Sequence, residues 1–306
     1  MTEPDTYSYP RYLTAKRTVD ARALNERVWT QFVERIAEQA SPVRVLEVGG
    51  GVGATVQRIV DALEPRVVDA LRYTIVDIQS ENIETARAAL HDWAEDRGYS
   101  VSGGQTQAWT GGPLDVSVEF QTADLFDLAA SHDGPLYDAV AAQAVFDLLP
   151  IPDAHDALAP LLAPGGLWYL PIHFDGVTAF EPPVEADLDA RVERLFHESM
   201  NDAPDQPGRS GAHCGRRLLT HFQGADDSLL EAGASDWVVL PEGEAYPGDE
   251  AYFLHHILHF VETELTGHPD LDADAFAEWM ATRRRQVEAG ELTYIAHQLD
   301  VLAQKG

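Results

Sequence analysis

The stretch Val43–Ala54, VRVLEVGGGVGA, is the feature that most constrains what this chain can fold into. It begins with aliphatic residues typical of a buried strand and continues into glycines at 49, 50, 51 and 53. The pattern at 55–60 is helical. A strand, a glycine-rich turn and a helix N-terminus together surround a polar ligand with backbone N–H groups. Glycine supplies the positive φ angles and the bare backbone that such a turn needs.

Strands alternate with helices along the first 172 residues, which indicates βαβ units and a parallel sheet. The strand candidates are 43–48, 73–77, 116–120, 137–142 and 167–172. Ligands of such sheets bind beyond the carboxyl ends of the strands. The sequence therefore predicts an α/β protein with a doubly wound, mostly parallel sheet.

The rest of the chain adds an N-terminal part and a substrate-side insertion. Residues 1–40 are predicted to form an arm and an amphipathic helix at 20–39, and residues 41–306 a single domain. A Pro-, Gly- and Asp-rich segment at about 176–224 breaks the rhythm and is predicted to cover the strand ends. A helix is expected to end at 229–233, and a strand to follow at 236–240.

The acidic charge limits the choice of partners. The chain carries 51 acidic and 21 basic residues, a net charge of −30, and its lysines are Lys16 and Lys305. Phosphate-binding surfaces are basic, so nucleic acid is not expected as a partner. A solvated, halophile-like acidic surface is the simplest explanation, because high salt screens the self-repulsion. The basic run 283–285 is expected on a solvent-facing helix.

Compartment follows from cysteine content and hydropathy. A single cysteine, Cys214, cannot form a disulfide within the chain, so a reducing cytoplasm is the expected location. We find neither an apolar run of the length of a membrane span nor a signal peptide, and no membrane partner is expected.

Two cofactor classes use a turn of this kind. Gly49-x-Gly51-x-x-Ala54 satisfies the dinucleotide fingerprint G-x-G-x-x-G/A, which is a weak signal alone. The acidic pattern Glu47-x-Gly49-x-Gly51-x-Gly53 also fits. Here the chain resembles the class I S-adenosylmethionine-dependent methyltransferases, motif by motif over about residues 43–175. The resemblance implies a seven-stranded sheet with one antiparallel strand, whose last strand pair comes from 229–240 and 292–301.

The resemblance also implies cofactor contacts. Asp77, at the end of the second strand, would accept the ribose hydroxyls, and Asp124 would lie near the adenine amino group. Ile78 and Leu125 would sandwich the adenine ring. The further cofactor contacts implied by the family pattern are Glu47 at the methionine end, the three turn glycines, and Gln143 after the fourth strand.

The amino-acid end of the cofactor needs a cationic partner, and Arg17 is predicted to supply it. With Lys16, Arg22 and Tyr12, it either folds over the cofactor or packs as a surface arm. No metal is expected.

A methyltransferase needs a general base only when its acceptor carries a proton. His173 is the first candidate because it ends the fifth strand. His213 in the insertion and Asp147 after the fourth strand are the others. The acceptor is expected to be a small molecule.

The segment 255–259, with histidines at 255, 256 and 259, lacks the glutamate of the zinc-protease motif. Its apolar residues favour a core helix, or one that buries the partner of a homodimer. Two further functions stay open at this stage: an NAD(P)-dependent oxidoreductase, and a non-catalytic S-adenosylmethionine-binding protein.

Overall fold

The computed structural model describes residues 3–64, 68–201, 208–224, 226–243 and 245–306. Within these ranges one sheet of ten strands has helices on both faces. The strands are β1 Val43–Val48, β2 Ala70–Asp77, β3 Ser100–Gly103, β4 Thr106–Thr110, β5 Asp115–Thr122, β6 Tyr137–Ala141, β7 Leu162–Glu181, β8 Ser228–Ala234, β9 Trp237–Val239 and β10 Thr293–Gln304. The helices are α1 Tyr9–Ala15, α2 Arg17–Ala23, α3 Glu26–Ala37, α4 Ala54–Leu63, α5 Ser80–Asp96, α6 Leu125–Ser131, α7 Ile151–Leu158, α8 Ala186–Ser199, α9 Cys214–Gly224, α10 Glu250–Leu265 and α11 Ala273–Ala289.

The sheet confirms the predicted fold class. Its seven-stranded core has the order β5-β2-β1-β6-β7-β10-β8. The pairs among the first five of these strands are parallel, and β10 is antiparallel to both its neighbours. The hairpin β3–β4 extends the edge of the sheet at β5.

The amphipathic helix expected at 20–39 is two helices. The apolar positions Val28, Phe32 and Ile36 are buried as predicted. The break occurs at Asn25, whose side chain accepts a hydrogen bond from the backbone N–H of Val28 and so caps α3. The backbone N–H of Asn25 donates to the Asp300 carboxylate at 2.8 Å, which ties the break to β10.

The prediction that a helix ends at 229–233 is wrong, because this segment forms β8, which pairs with β10. A short apolar run does not distinguish a buried strand from a helix by periodicity alone. The helix of this region is α9, which packs against β7, β8 and β10. The segment predicted as an insertion, 176–224, therefore contains the end of β7, the helix α8, and a helix that lies on the sheet. The domain division near residue 40 stays a prediction.

A second core lies against the outer part of the sheet. It gathers buried residues of α1, α2, α8, α10 and α11 with the outer parts of β7, β9 and β10. The apolar stripe of α10 is buried there by its own chain, as expected for a core helix. Within the described residues, we find no cluster of three or more His, Cys, Asp or Glu side chains able to hold a metal ion. None of the described helices combines the length and apolar character that crossing a bilayer requires.

The expectation that the basic run 283–285 faces solvent is wrong for Arg283. This side chain is fully buried and contacts Asp189 of α8 at 2.6 Å. The same carboxylate accepts a hydrogen bond from Trp279 Nε1 and, through its other oxygen, from the backbone N–H of Val184. The ion pair thus joins α8 to α11 inside the second core.

Replacing Arg283 by Met should lower the free energy of unfolding by about 3–5 kcal/mol, because it leaves the Asp189 charge buried without its cation. Urea denaturation in high salt measures the loss. The adjacent variant Arg285→Met is the control, since Arg285 is exposed, and it should change stability by at most about 0.5 kcal/mol. Equal stability of the two variants would contradict a structural role for the buried pair.

Candidate functional site

The glycine-rich turn after β1 adopts a left-handed backbone conformation that favours glycine. Gly49, Gly51 and Gly53 have φ angles of 63°, 53° and 79°. A Cβ atom on Gly49 would lie 2.3 Å from Val145 Cγ2, and one on Gly53 would lie 2.8 Å from Leu90 Cδ1. Both contacts are far below van der Waals separation, so the bare backbone is a packing requirement as well as a conformational one.

Asp77 lies directly beside the turn, as its place at the end of β2 predicts. It is buried, and its Oδ2 accepts a hydrogen bond from the Gly51 N–H at 3.0 Å. Its Oδ1 accepts from the Gln79 N–H at 2.8 Å and from Asn82 Nδ2 at 3.2 Å. These bonds hold the carboxylate at the mouth of the turn.

The predicted adenine contacts surround an open surface next to Asp77. Ile78 is 63% exposed, an unusual position for a large aliphatic side chain that follows a buried strand. Asp124 caps α6 by accepting hydrogen bonds from the N–H groups of Phe126 and Asp127, both through Oδ1. Leu125, at the first position of α6, is half-buried. Asp124 therefore has the turn-forming role common for such residues, and its Oδ2 is the oxygen left for a ligand.

Glu47 lies beneath the start of α4. Tyr73 donates its hydroxyl to Glu47 Oε2 at 2.9 Å, and Thr55 hydrogen-bonds the same carboxyl group. Burial raises the pKa of Glu47 to about 7, although both hydrogen bonds act to lower it. The carboxyl group can therefore exchange a proton near neutral pH.

Two arginines form a polar wall at the other side of the turn. Arg58 of α4 donates to Gln143 Oε1 and to Thr55 Oγ1, and Arg17 of α2 donates to Gln57 Oε1. Burial and the neighbouring Arg58 lower the pKa of Arg17. In the described parts of the chain, both cations thus bind amide or hydroxyl oxygens rather than carboxylates.

The N-terminal arm lies over the turn. Leu13 of α1 is its nearest cover, because a Cβ atom on Gly51 would lie 3.1 Å from Leu13 Cδ1. Burial, followed by the charges of Asp147 and Asp77, raises the pKa of Tyr9 to about 12. The hydroxyl of Tyr9 is therefore within electrostatic reach of both carboxylates, although its residue is 46% exposed. The arm therefore packs over the turn, and its role as a cover over the cofactor stays a prediction.

Asp147 follows β6 in a 3₁₀ turn, Phe146–Leu148. Its Oδ1 is buried and has no hydrogen-bond partner among the described residues. Burial raises the pKa of Asp147, while the charges of Lys16 and Arg209 lower it. The structure thus brings Asp147 together with the arm and the turn.

His173 does not fit the role of general base. It is fully buried in β7, its Nε2 accepts a hydrogen bond from the Phe146 N–H, and its Nδ1 contacts the Leu170 carbonyl oxygen at 3.2 Å. Burial lowers the pKa of His173 to about 4. Both ring nitrogens are occupied in an apolar setting, so the geometry contradicts the prediction that this side chain takes a proton from an acceptor.

His213 lies farther out. It lines a cavity of about 440 Å³ between the end of β7 and α8, which also contains His197 and Glu193. A Cβ atom on Gly176 would be 2.7 Å from the His213 ring, so glycine is needed for the ring to fit there. Burial and the neighbouring His213 lower the pKa of His197. A catalytic role for His213 stays a prediction.

Backbone strain is found where β6 and β7 meet the site. Ala144 and Ile172 have φ angles of 53° and 59°, which side-chain-bearing residues rarely adopt. The Ala144 N–H donates to the Pro171 carbonyl at 3.1 Å, and the Ile172 N–H donates to Asp300 at 2.7 Å. Such strain persists only where surrounding contacts enforce it, and it is concentrated at functional sites.

The sequence-based prediction missed Arg58 and Asp20. Arg58 lies three positions after Thr55 on the same face of α4, a spacing that could have pointed to the turn. Asp20 is buried on α2 and joins Gln143 to the arm. Its role depends on contacts between distant parts of the chain, which no local pattern signals.

Replacing His173 by Gln should reduce the decrease in the free energy of unfolding that occurs as the pH falls. The folded-state pKa lies below the ordinary value of 6.5, so His173 adds stability above pH 6.5 that is lost as pH falls towards 4. Urea denaturation between about pH 7 and pH 4.5 should show a smaller drop in the variant, by on the order of 2–3 kcal/mol. The half-exposed His91 provides the control variant His91→Gln, which should follow the wild type. An unchanged acid drop in the His173 variant would contradict the buried neutral state.

Comparisons with known proteins bear on the identity of the chain. A family model described as "Putative S-adenosyl-L-methionine-dependent methyltransferase" matches residues 27–155. The fold is similar to that of a "Putative Type II Methyltransferase" from Anaeromyxobacter dehalogenans, with 15% identity, 91% of this chain and 95% of that chain covered, and a TM-score of 0.50. It is also similar to a methyltransferase from Thiobacillus denitrificans in complex with S-adenosyl-L-homocysteine, with 13% identity, full coverage of both chains and a TM-score of 0.47. No curated protein matches the sequence.

The structure from Anaeromyxobacter dehalogenans, at 15% identity, speaks for the fold alone. The family match covers β1, the glycine-rich turn, Asp77 and Asp124, which are the features that carried the resemblance in the sequence. The match spans less than half of the chain, and together with the strand order of the sheet and the geometry of the turn it makes this part of the chain similar to S-adenosyl-L-methionine-dependent methyltransferases.

Proposed function

We infer that the protein is an S-adenosylmethionine-dependent methyltransferase, that it acts on a small molecule with a proton-bearing nucleophile held beneath α1, and that Asp147 accepts the proton. The buried, unpartnered Oδ1 of Asp147 carries this proposal. A buried carboxylate oxygen without a partner is costly, and such groups are concentrated at functional sites.

The residues around the turn fit the cofactor. Asp77 lies where a carboxylate can accept ribose hydroxyls, and the exposed Ile78 offers an apolar surface to the adenine ring. At the other end, Arg17 and Arg58 would hold the carboxylate of the methionine part, since their present partners are neutral. Glu47 would lie closest to its ammonium group. The remaining proposed contacts are Gly49, Gly51, Gly53, Asp124, Leu125 and Gln143.

When bound, S-adenosylmethionine supplies the methyl group, and its sulfur keeps the electron pair of the carbon–sulfur bond that breaks. The protein's task is to align the acceptor with that carbon and to exclude water. Asp147 takes the proton that the acceptor nucleophile loses, and its raised pKa makes it a better base than an exposed aspartate. The charge of Lys16 acts to lower the pKa of Asp147 and so favours its ionised form.

The roof over the strand ends favours a small acceptor. Leu13 packs over Gly51, and the arm is held down by an ion pair between Arg22 and the fully buried Glu250 of α10. A folded macromolecule could not bring an acceptor group under this roof without displacing α1 and α2. A cytoplasmic location and a homodimer stay predictions, and the apolar stripe of α10 gives the dimer no surface because its own chain covers it.

Binding of S-adenosyl-L-homocysteine near pH 7 should release up to one proton. An ammonium group beside Glu47 would stabilise the ionised carboxylate and lower its pKa from about 7, so affinity should rise with pH through this range. Isothermal titration in phosphate and in Tris, both at high salt, would give different binding enthalpies, because the released proton is taken up by two buffers whose ionisation enthalpies differ. Glu47→Gln should abolish the difference while keeping the hydrogen bonds to Tyr73 and Thr55.

A matched negative control is Gly51→Val, which places a branched side chain against Leu13 and should prevent binding. Equal enthalpies for the wild type in the two buffers would contradict the proposed place of Glu47. Failure of the wild type to bind the ligand at all would overturn the proposed cofactor site.

Asp147→Asn should reduce kcat by roughly 10²–10⁴-fold, because it removes the base but keeps the shape of the side chain. Affinity for S-adenosyl-L-homocysteine should stay within about threefold of the wild type. The assay follows labelled methyl transfer from S-adenosylmethionine to the low-molecular-mass fraction of a cell extract. The wild-type rate should fall in acid as Asp147 becomes protonated, and the variant should lack this dependence.

The exposed Asp153 provides the control variant Asp153→Asn, which should keep the wild-type rate. Label recovered in macromolecules alone would contradict a small acceptor. A full rate in the Asp147 variant would contradict its role as base.

A further inference from the structure

Asp20 of α2 is a buried carboxylate where the N-terminal arm meets the cofactor site. It is 1% exposed. Its Oδ2 accepts a hydrogen bond from Gln143 Nε2 at 2.7 Å and lies 3.3 Å from Lys16 Nζ. Its Oδ1 accepts from Trp237 Nε1 at 2.9 Å. One side chain therefore joins α2, the segment after β6, and β9.

The first consequence is the orientation of the Gln143 amide. An ionised carboxylate only accepts hydrogen bonds, so Asp20 requires the NH₂ group of Gln143 on its side. The carbonyl oxygen Oε1 must then face Arg58, which donates to it. The opposite orientation would set two donors against each other at Arg58 and two acceptors against each other at Asp20.

The second consequence is the position of Lys16. The ion pair with Asp20 and the ring of Trp237, 5.2 Å from the ammonium, hold this nearly buried side chain in place. The Lys16 charge acts on Asp147, the proposed base. Asp20 thus contacts one residue of the cofactor wall directly and acts on the acceptor side through another.

We propose that Asp20 is a positioning residue that joins closure of the arm, α1 and α2, to the ordering of the cofactor wall, Gln143 and Arg58. This inference rests on the proposed cofactor site. When the arm is closed, Asp20 sets Gln143 in the orientation that presents the Arg58 guanidinium to the cofactor carboxylate. When the arm is open, the amide is free to rotate and the wall is disordered.

The test uses the full chain and S-adenosyl-L-homocysteine as the probe. In Asp20→Asn the carbonyl oxygen of the new side chain can accept the hydrogen bond from Trp237. The NH₂ group of the new side chain then faces two other donors, the NH₂ group of Gln143 and the ammonium group of Lys16. Affinity measured by isothermal titration should fall about tenfold. Without ligand, trypsin should cleave within residues 11–22 at least several-fold faster than in the wild type.

A second substitution should restore what the first removes. In the double variant Asp20→Asn/Gln143→Glu, the new carboxylate at position 143 accepts from the side-chain amide introduced at position 20 and pairs with Arg58. Cleavage of the arm by trypsin should therefore return to within about threefold of the wild-type rate, whereas affinity should stay low because Arg58 is then paired with a carboxylate. Gln143→Glu alone sets two carboxylates face to face and should weaken binding and speed arm cleavage. This single variant keeps the inference testable if Asp20→Asn does not fold, which circular dichroism and the melting temperature establish.

Asp249→Asn is the control, because it breaks an exposed ion pair between Asp249 and Arg11 of the same arm without touching the wall. It should leave affinity within about twofold of the wild type. Faster cleavage of the Asp20 variant with unchanged affinity would overturn the inference, because Asp20 would then hold the arm in place without affecting the cofactor wall. A double variant whose arm is cleaved as fast as that of Asp20→Asn would also overturn it. If the wild type did not bind the probe, the proposed function would fall, and this inference with it.

Discussion

Leu13, Leu90 and Val145 pack on the bare backbone of the glycine-rich turn, and the rest of the site depends on this close approach. They belong to α1, to α5 and to the segment that leads from β6 to Asp147. A side chain on Gly49 or Gly53 would push one of these elements away. The turn is therefore the place where the arm, the sheet and the proposed catalytic segment are set relative to one another. A requirement for packing and a requirement for ligand binding fall on the same glycines.

The sequence was enough to predict that the glycine-rich turn and Asp77 lie side by side. The carboxyl ends of parallel strands meet at one edge of a sheet, so residues that follow successive strands are brought together by the fold itself. The hydrogen bond between the Gly51 N–H and Asp77 is the direct result. The same rule misled for His173. It places a residue near the strand ends, yet it does not tell which way the side chain points.

At β7 that direction depends on a bulge. His173 pairs with Leu299 and Leu170 pairs with Val301, so two residues of β7 stand opposite Asp300 alone. Asp300 binds the N–H of Ile172 there, and the strand bends so that His173 enters the core. A bulge of this kind depends on a partner strand that is distant in sequence, and no pattern around residue 173 predicts it.

The remaining errors have the same origin. Arg283 reads as a surface residue until Asp189 is placed beside it, and the apolar run in β8 reads as a helix until β10 is placed beside it. Asp20 and Gln143 are 123 positions apart, and the proposed roles of both residues depend on the hydrogen bond between them. Periodicity and motif order find the elements and the strand-end ligands. They do not find buried polar partners from distant segments, and such partners form most of the arm-facing wall.

The position of β10 has a consequence for how the molecule is assembled. This strand lies between β7 and β8, and it also pairs with β9, although all of α10 and α11 is made before it. Until it is synthesised, β7 has an unpaired edge, and Ile172 and Asn25 lack the Asp300 carboxylate that binds both. The nascent chain must therefore carry a long, apolar strand edge from the completion of β7 at residue 181 until β10 is made at 293–304, and such edges pair readily with other chains. Pairing of β10 is also the step that brings Asp300 to the strained backbone at Ile172, so this part of the proposed site cannot form before the sheet closes.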